Sequence, residues 1–201
     1  MEKTIFDLND LAGIDRYKLL TGLVIPRPIG WVGSVDVDGH RNLAPYSYFN
    51  VVAATPPTAL FSAGRPGGRI KDSLANVLAT GVFTLSIVDE SLTKAMHASS
   101  EQFPPDVDEF EQVGLTAVTG VAVAAPYVGE ALAVLECRVS QIVDLGDPIS
   151  ASAVFGDIVR LHVANDVLDG TRIDHDRLRA VGRIAGTTYV TTANALFEVE
   201  T

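Results

Sequence analysis

The residues from Arg69 to Ser73 have the types and spacing that bind an anion at the start of a helix. Arg69 and Lys71 carry positive charge, and Ser73 offers a hydroxyl in the first turn of a helix that apolar spacing predicts over 70–78. The free backbone N–H groups of a helix start add to this attraction. We expect the side chain of Asp72 to cap the helix, so that only its N–H faces the anion. An ordinary solvated helix start is the alternative.

A second set of polar and aromatic residues has the composition of a slot for a planar ligand. Its members cluster at the ends of successive predicted strands, so a hairpin would bring them to one rim. The aromatic rings can wall a flat apolar slot, and the serine and asparagine side chains can bond polar substituents. The alternative is that the aromatic residues belong to the core. The candidates are Trp31, Ser34, Ser47, Tyr48, Phe49, Asn50 and Ser62.

The elements that position these residues are predicted to be mostly β-strands. Alternating and continuous apolar runs predict strands over 29–36, 43–50, 58–63, 82–88, 131–145 and 153–163, with two more between 115 and 123. Pro45 places the second strand at an edge or a break. Three short helices are predicted, over 70–78, from Asp89 as N-cap to about residue 99, and over 174–181, with a helical turn over 108–113 and a mixed tail over 182–192. Short connections favour an antiparallel barrel over a doubly wound sheet.

The composition excludes several classes of protein. The 201 residues fit a single domain, 1–201, and a formal net charge of −10 without a basic cluster argues against nucleic-acid binding. Neither a signal peptide nor an apolar run of membrane-spanning length is present, so no membrane partner is expected. The lone Cys137 fits a reducing compartment, and we expect a cytoplasmic protein. An apolar fraction of 47% favours an oligomer.

Neither a metal site nor a nucleotide-binding loop is predicted. The four histidines lack the spacing of zinc ligands, and no Gly-x-Gly-x-x-Gly or Walker-type loop opens a helix.

Six short motifs, in this order along residues 14–190, resemble the flavin reductase-like, flavoredoxin-type family. Each motif alone is weak, but the ordered set is specific. The motifs are PRPIGWV at 26–32, NLAPYSYFN at 42–50, KDS at 71–73 with Asn76, VDEF at 107–110, LEC at 135–137, and VGRIAG at 181–186 with Tyr189. Two positions depart from the family pattern: Ser73 stands where threonine is frequent, and Ala185 stands where glycine is frequent.

The resemblance implies an FMN-binding split β-barrel of antiparallel Greek-key type that works as a homodimer, with FMN near the subunit interface. It implies phosphate contacts at Lys71, Asp72 and Ser73, and it places the segment 183–189 with Tyr189 close to the flavin. It also implies flavin contacts around Ser34, Ser47, Tyr48, Phe49, Asn50 and Ser62.

The family resemblance also implies a reaction: hydride transfer from NADH or NADPH to FMN. The cofactor carries this step, so no catalytic side chain is predicted. Among the histidines, His162 has the best claim to a role in binding the nicotinamide. A flavin-dependent monooxygenase is a possible recipient of the reduced flavin. The main alternative is a flavoredoxin-like electron carrier with tightly bound FMN and no nicotinamide oxidation. A flavin binder without a redox partner, or an oxidase of a pyridoxamine-type substrate, is a third. The choices of NADH or NADPH, and of FMN or FAD, stay open.

Overall fold

The computed structural model describes residues 1–193, 196–197 and 199, and strands dominate it. Within these residues the chain forms five α-helices and fourteen strands. The helices are α1 Gly13–Leu23, α2 Asp72–Thr80, α3 Thr93–Ala98, α4 Glu109–Gln112 and α5 His175–Leu178. The strands are β1 Arg27–Pro28, β2 Gly30–Val35, β3 Arg41–Tyr46, β4 Phe49–Ala54, β5 Pro57–Gly64, β6 Val82–Ile87, β7 Ala117–Thr119, β8 Pro126–Val128, β9 Ala133–Leu145, β10 Ala151–Val163, β11 Leu168–Asp169, β12 Arg172–Ile173, β13 Val181–Ala185 and β14 Thr188–Thr191.

Seven antiparallel strands form the main sheet, in the order β3-β2-β6-β9-β10-β5-β4. The chain passes from one edge strand, β3, to the other, β4, through Ser47 and Tyr48 alone. Because a short segment spans only about 3.5 Å per residue, the two edges must approach each other at this corner. The sheet therefore curls into a barrel, as predicted, and the corner between β3 and β4 lies where the edges meet.

The predicted strand over 43–50 is wrong in one respect, because it breaks after Tyr46. The hairpin of β2 and β3 forms as expected, with Gly30 opposite Tyr46, and Pro45 lies on an edge strand. Phe49 then begins β4, which pairs with β5 at the opposite edge of the sheet from β3. The place where these two edges approach each other is called the barrel seam. Likewise, only β7 forms between 115 and 123, and its partner is β8, which begins at the predicted break, Pro126.

Two apolar clusters fill the fold, one on each face of β2. Val32 faces the barrel interior with Phe61 and Phe83, whose rings meet edge to face at a centroid distance of 5.2 Å. Trp31 faces the other way and packs with Phe110 in a second cluster beneath α3 and α4. This division follows from the alternation of side chains along a strand.

Helix α1 was not predicted. Its apolar side chains, among them Ile14, Tyr17 and Leu20, are exposed, and Thr21 is its only buried residue among the described ones. The end of α1 is held from outside: the guanidinium of Arg27 donates to the carbonyl oxygens of Thr21 and Val24. A cation at a helix C-terminus satisfies carbonyls that the helix leaves unpaired.

The three predicted helices are present with shifted starts. Helix α2 ends at Gly81, whose φ of 71° suits glycine, and the side chain of Asp174 caps α5 as expected. Asp89 does not cap α3, which begins only at Thr93. It accepts from the N–H of Ser91 at 2.7 Å and so organises the turn before the helix. No helix among the described residues combines the length and the hydropathy needed to span a bilayer.

Candidate functional site

A cleft of about 320 Å³ lies where the start of α2 faces the end of β3 and the segment 99–103. The charged residues in its lining come from separate parts of the chain. Among them are Arg69, Lys71, Asp72, Glu101, Glu109 and Arg183. The four residues predicted to bind an anion, Arg69 and 71–73, all line this cleft.

The start of α2 is open toward a ligand. Lys71 occupies the cap position with extended backbone angles, and no side chain caps the helix. The expectation that Asp72 caps α2 is therefore wrong: Asp72 is the first helical residue, one position beyond the cap. The N–H groups of the first turn have no side-chain partner, and an anion can accept from them.

A buried polar layer supports this helix start. Ser73 is 1% exposed, and its Oγ accepts a hydrogen bond from Asn42 Nδ2 at 3.0 Å. One turn on, Asn76 Nδ2 donates to Ser34 Oγ at 3.2 Å, beneath the helix. The side chain of Ser34, a predicted flavin contact, is thus fully buried and committed to α2, and it does not line the cleft.

Glu109 adds a buried carboxylate to the cleft lining. Its Oε2 accepts from the N–H of Leu43 at 3.0 Å, which ties α4 to β3. Burial raises the pKa of Glu109, and the neighbouring carboxylates of Asp72 and Asp108 add to the rise, while the backbone hydrogen bonds oppose it. The cleft is therefore of mixed charge, with two of its cations, Arg69 and Lys71, at the start of α2 and a third, Arg183, on β13.

Tyr46 is a cleft residue that the sequence did not single out. It is 5% exposed, its ring packs on Phe61, and the ammonium of Lys71 lies 5.5 Å from its ring centroid. Its hydroxyl has no hydrogen-bond partner among the described residues. Burial raises the pKa of Tyr46 to about 12, and the nearby Ser73 hydroxyl offsets part of the rise, although the two oxygens do not meet in hydrogen-bond geometry. Only the packing of the fold reveals this group.

The segment 47–50 continues directly from the cleft residues of β3. Ser47 is half-buried, and its Oγ lies 3.5 Å from Arg27 Nε, while Tyr48 and Asn50 are exposed. Phe49 packs in the barrel core. On the neighbouring strand, the N–H of Ser62 donates to the carbonyl of Tyr48 at 2.8 Å, which brings Ser62 to the same rim.

Trp31 is a core residue. It has no exposed surface, and its Nε1 donates to Ser99 Oγ at 2.9 Å. The side-chain alternation of β2 turns it beneath α3, so it cannot wall a ligand slot. Since Ser99 lines the cleft, Trp31 instead supports the cleft from behind.

Tyr189 lies beside the cleft on β14, opposite Arg183 of β13. Its hydroxyl hydrogen-bonds to His97 Nδ1 at 2.8 Å, and the two rings meet edge to face at 5.9 Å. This contact joins β14 to α3. His97 and Tyr189 are 92 positions apart in the sequence, so no local pattern predicts this contact.

His162 does not line the cleft. Its Nε2 bonds to Glu136 Oε1 at 2.5 Å, and Glu136 also accepts from the N–H groups of residues 121–123. Burial raises the pKa of Glu136, but the hydrogen bonds from His162 and from the three N–H groups outweigh it, and the net shift is downward. The carboxylate thus holds the loop before β8 against β9.

The side chains of Asp36, Asp38 and His40 converge in the turn between β2 and β3. Their carboxylate oxygen and ring nitrogen atoms lie within 4.8 Å of one another. Asp36 accepts from the backbone N–H groups of Asp38 and His40 and from His40 Nδ1, the last at 2.8 Å. Because of this pairing, the pKa of Asp36 is lowered and that of His40 is raised. These hydrogen bonds are made within the exposed turn itself and hold its backbone in place.

Comparison with known proteins identifies relatives along the whole chain. The chain is 38% identical over 187 residues to an uncharacterized protein of Aquifex aeolicus, covering 92% of this chain and 94% of that one. Its structure is similar to nitrilotriacetate monooxygenase component B from Bacillus cereus, with 36% identity, a TM-score of 0.95, and coverage of 99% of this chain and 100% of the other. A Shewanella frigidimarina protein with a split barrel domain shares the fold at 23% identity and a TM-score of 0.85, covering 99% and 100%.

The split barrel predicted from the motifs is therefore confirmed. The family model for the flavin reductase like domain matches residues 22–182, which contain every strand of the seven-stranded sheet and all of the cleft lining except Arg183. The chain belongs to the flavin reductase like family.

Proposed function

We propose that this protein binds FMN in the cleft and acts as an NAD(P)H-dependent flavin reductase in the cytoplasm. The observation that carries the proposal is the uncapped start of α2, flanked by Arg69 and Lys71, in a member of a flavin reductase like family. The open N–H groups, the two cations and the Ser73 hydroxyl suit a phosphate ester.

The rest of the flavin fits the rim that continues from the cleft. The phosphate at α2 would place the ring system along 46–50 and near Ser62, where backbone groups at the barrel corner can bond its polar edge. Tyr48 is exposed and can cover a planar ring, whereas Trp31 cannot. Residues 47–50, Ser62 and Tyr189 thus stay predicted flavin contacts.

The bound flavin would supply the hydride acceptor. The chain's own residues bind and orient it: the cations and the helix start hold the phosphate, and the corner between β3 and β4 orients the ring. We propose no catalytic acid or base.

The proposal is tested by flavin binding and nicotinamide oxidation with the purified full chain. We expect FMN to bind more tightly than riboflavin, and NADH or NADPH to be oxidised when FMN is present. Tight FMN binding with no oxidation of either nicotinamide would indicate an electron carrier instead. Failure to bind FMN would reject the proposed function.

A monooxygenase is the proposed recipient of the reduced flavin. The structural relative from Bacillus cereus is named as component B of a monooxygenase, and it matches this chain over its full length. A chain of this fold that releases reduced flavin would serve such an oxygenase.

We also propose that the protein is a homodimer. Helix α1 and the residue after it expose several large apolar side chains, and the edge strand β4 exposes two more. Large exposed apolar patches are rare on monomeric proteins and usually mark an interface. The exposed residues are Ile14, Tyr17, Leu20, Leu23, Val24, Val51 and Val52.

Light scattering is expected to give twice the chain mass of 21.3 kDa. Leu23→Glu would place a charge in the proposed interface, and we expect it to shift the protein toward the monomer. The matched control is Val37→Glu, in the exposed turn between β2 and β3, which should stay dimeric. A wild-type monomer at micromolar concentration would contradict the proposal.

A further inference from the structure

The hydroxyl of Tyr46, a residue that lines the cleft, is buried and has no hydrogen-bond partner among the residues that the structure describes. Buried hydroxyl groups are almost always hydrogen-bonded, and one that is not destabilises the protein that carries it. The aromatic ring of Tyr46 has a clear packing role, because it contacts Phe61 in the barrel core. A phenylalanine would fill this place without the unpaired oxygen, so the hydroxyl calls for an explanation beyond packing.

Ser73, next to this hydroxyl, has hydrogen-bonding capacity left over. A serine oxygen has one proton to donate and two acceptor sites. Among the described residues, Asn42 Nδ2 fills one acceptor site, and no acceptor is found for the Ser73 proton. Ser73 also lies in the first turn of α2, where the N–H groups and Lys71 attract an anion.

We propose that Tyr46 is a positioning residue for phosphate recognition, acting through Ser73. The inference rests on the proposed function, since the anion is the phosphate of a flavin. When the phosphate accepts the Ser73 proton, the Ser73 side chain shifts so that its Oγ comes into hydrogen-bond geometry with Tyr46 Oη, which donates to the second acceptor site. Asn42 and Tyr46 then both donate to one oxygen, whose own proton is left to the phosphate.

The physical reason for this arrangement is cooperativity between hydrogen bonds. An oxygen that accepts two hydrogen bonds is polarised and donates its own proton more strongly. The free protein bears the unpaired Tyr46 hydroxyl, and occupation of the cleft relieves it. Riboflavin lacks the phosphate and would not draw out the Ser73 proton, so the effect of Tyr46 is specific to the phosphorylated ligand.

The test compares wild-type protein with Tyr46→Phe in titrations with FMN and with riboflavin. We expect the Kd for FMN to rise about threefold to tenfold, as for loss of one hydrogen bond. The Kd for riboflavin should not change, and the melting temperature of the free protein should not fall. Tyr127→Phe is the matched control, because Tyr127 packs against His162, away from the cleft lining.

A double-mutant cycle tests whether Tyr46 acts through Ser73. In the Ser73→Ala background, Tyr46→Phe should cause no further loss of FMN affinity. Additive losses would overturn the relay, and so would equal losses of FMN and riboflavin affinity, which would indicate a structural role. An unchanged Kd for FMN in Tyr46→Phe would overturn this inference alone. A wild-type protein that does not bind FMN would overturn the proposed function as well.

Discussion

Replacing Glu136 by alanine is expected to lower the free energy of unfolding by about 3–5 kcal/mol, because several hydrogen bonds to one buried carboxylate are lost together. Glu136 is fully buried and accepts four hydrogen bonds, from His162 and from three consecutive backbone N–H groups. Its removal leaves those donors without their acceptor and opens a cavity beside Gly120. Urea denaturation of the purified variant, followed by circular dichroism, measures the change.

Glu130→Ala is the control for this experiment. Glu130 is exposed and accepts from the N–H of Thr116 at 3.0 Å, so it makes the same type of contact in water. We expect a loss below about 1 kcal/mol for this variant, because water replaces the carboxylate. Equal losses for the two variants would show that burial of Glu136 does not matter.

The same carboxylate makes the stability depend on pH. The pKa of Glu136 is lowered in the folded protein, so the unfolded chain binds the proton first as the pH falls below about 4.3. Its contribution is complete above that pH and is lost as the pH falls through the folded value. Glu136→Gln should therefore be much less stable than wild type at pH 7, and the difference should shrink below about pH 4. A constant difference would contradict this assignment. Glu109, whose pKa is raised, acts with the opposite sign.

Lys71→Met is expected to weaken FMN binding by about tenfold to a hundredfold, the usual range for loss of a charge-assisted hydrogen bond. Lys71 is exposed at the start of α2, so its ammonium can reach a phosphate there. Riboflavin, which has no phosphate, should bind both proteins equally. Flavin fluorescence titrations at low salt measure both affinities, and added salt should reduce the difference for FMN.

Lys94→Met is the matched control, since Lys94 is an exposed lysine on α3. It should leave both affinities unchanged. If Lys71→Met weakened FMN and riboflavin to the same extent, the phosphate would lie elsewhere. If neither changed, the start of α2 would not be the anion site.

The helix start that carries the proposed anion site could be predicted because its signals are local. The apolar spacing that follows it, the cations at Arg69 and Lys71 and the stop at Gly81 all lie within a short stretch of the chain. Arg69 and residues 71–73 line one cleft because they are close together in the chain. The capping role given to Asp72 failed by one position, within the usual uncertainty of a helix boundary.

The geometry of the proposed flavin rim was predicted less well than the helix start, because it depends on contacts between residues that are far apart in the sequence. The run over 43–50 looks like one strand, but Ser47 and Tyr48 carry the chain across the barrel seam. The alternation in β2 separates Trp31 from Val32, yet it does not say which face α3 will cover. Helix α1 buries only Thr21 among its described residues, and Arg27 donates to carbonyl oxygens at its end.

The sequence by itself determined the antiparallel barrel, the helix that carries the proposed anion site, and membership of the family through its ordered motifs. These depend on local spacing and on the residue types at neighbouring positions. Only the tertiary structure decided that Trp31 is buried, that Glu136 accepts four hydrogen bonds, and that the Tyr46 hydroxyl beside Ser73 has no partner among the described residues. Burial and hydrogen-bond satisfaction are properties of groups brought together across the barrel, and no local pattern encodes them.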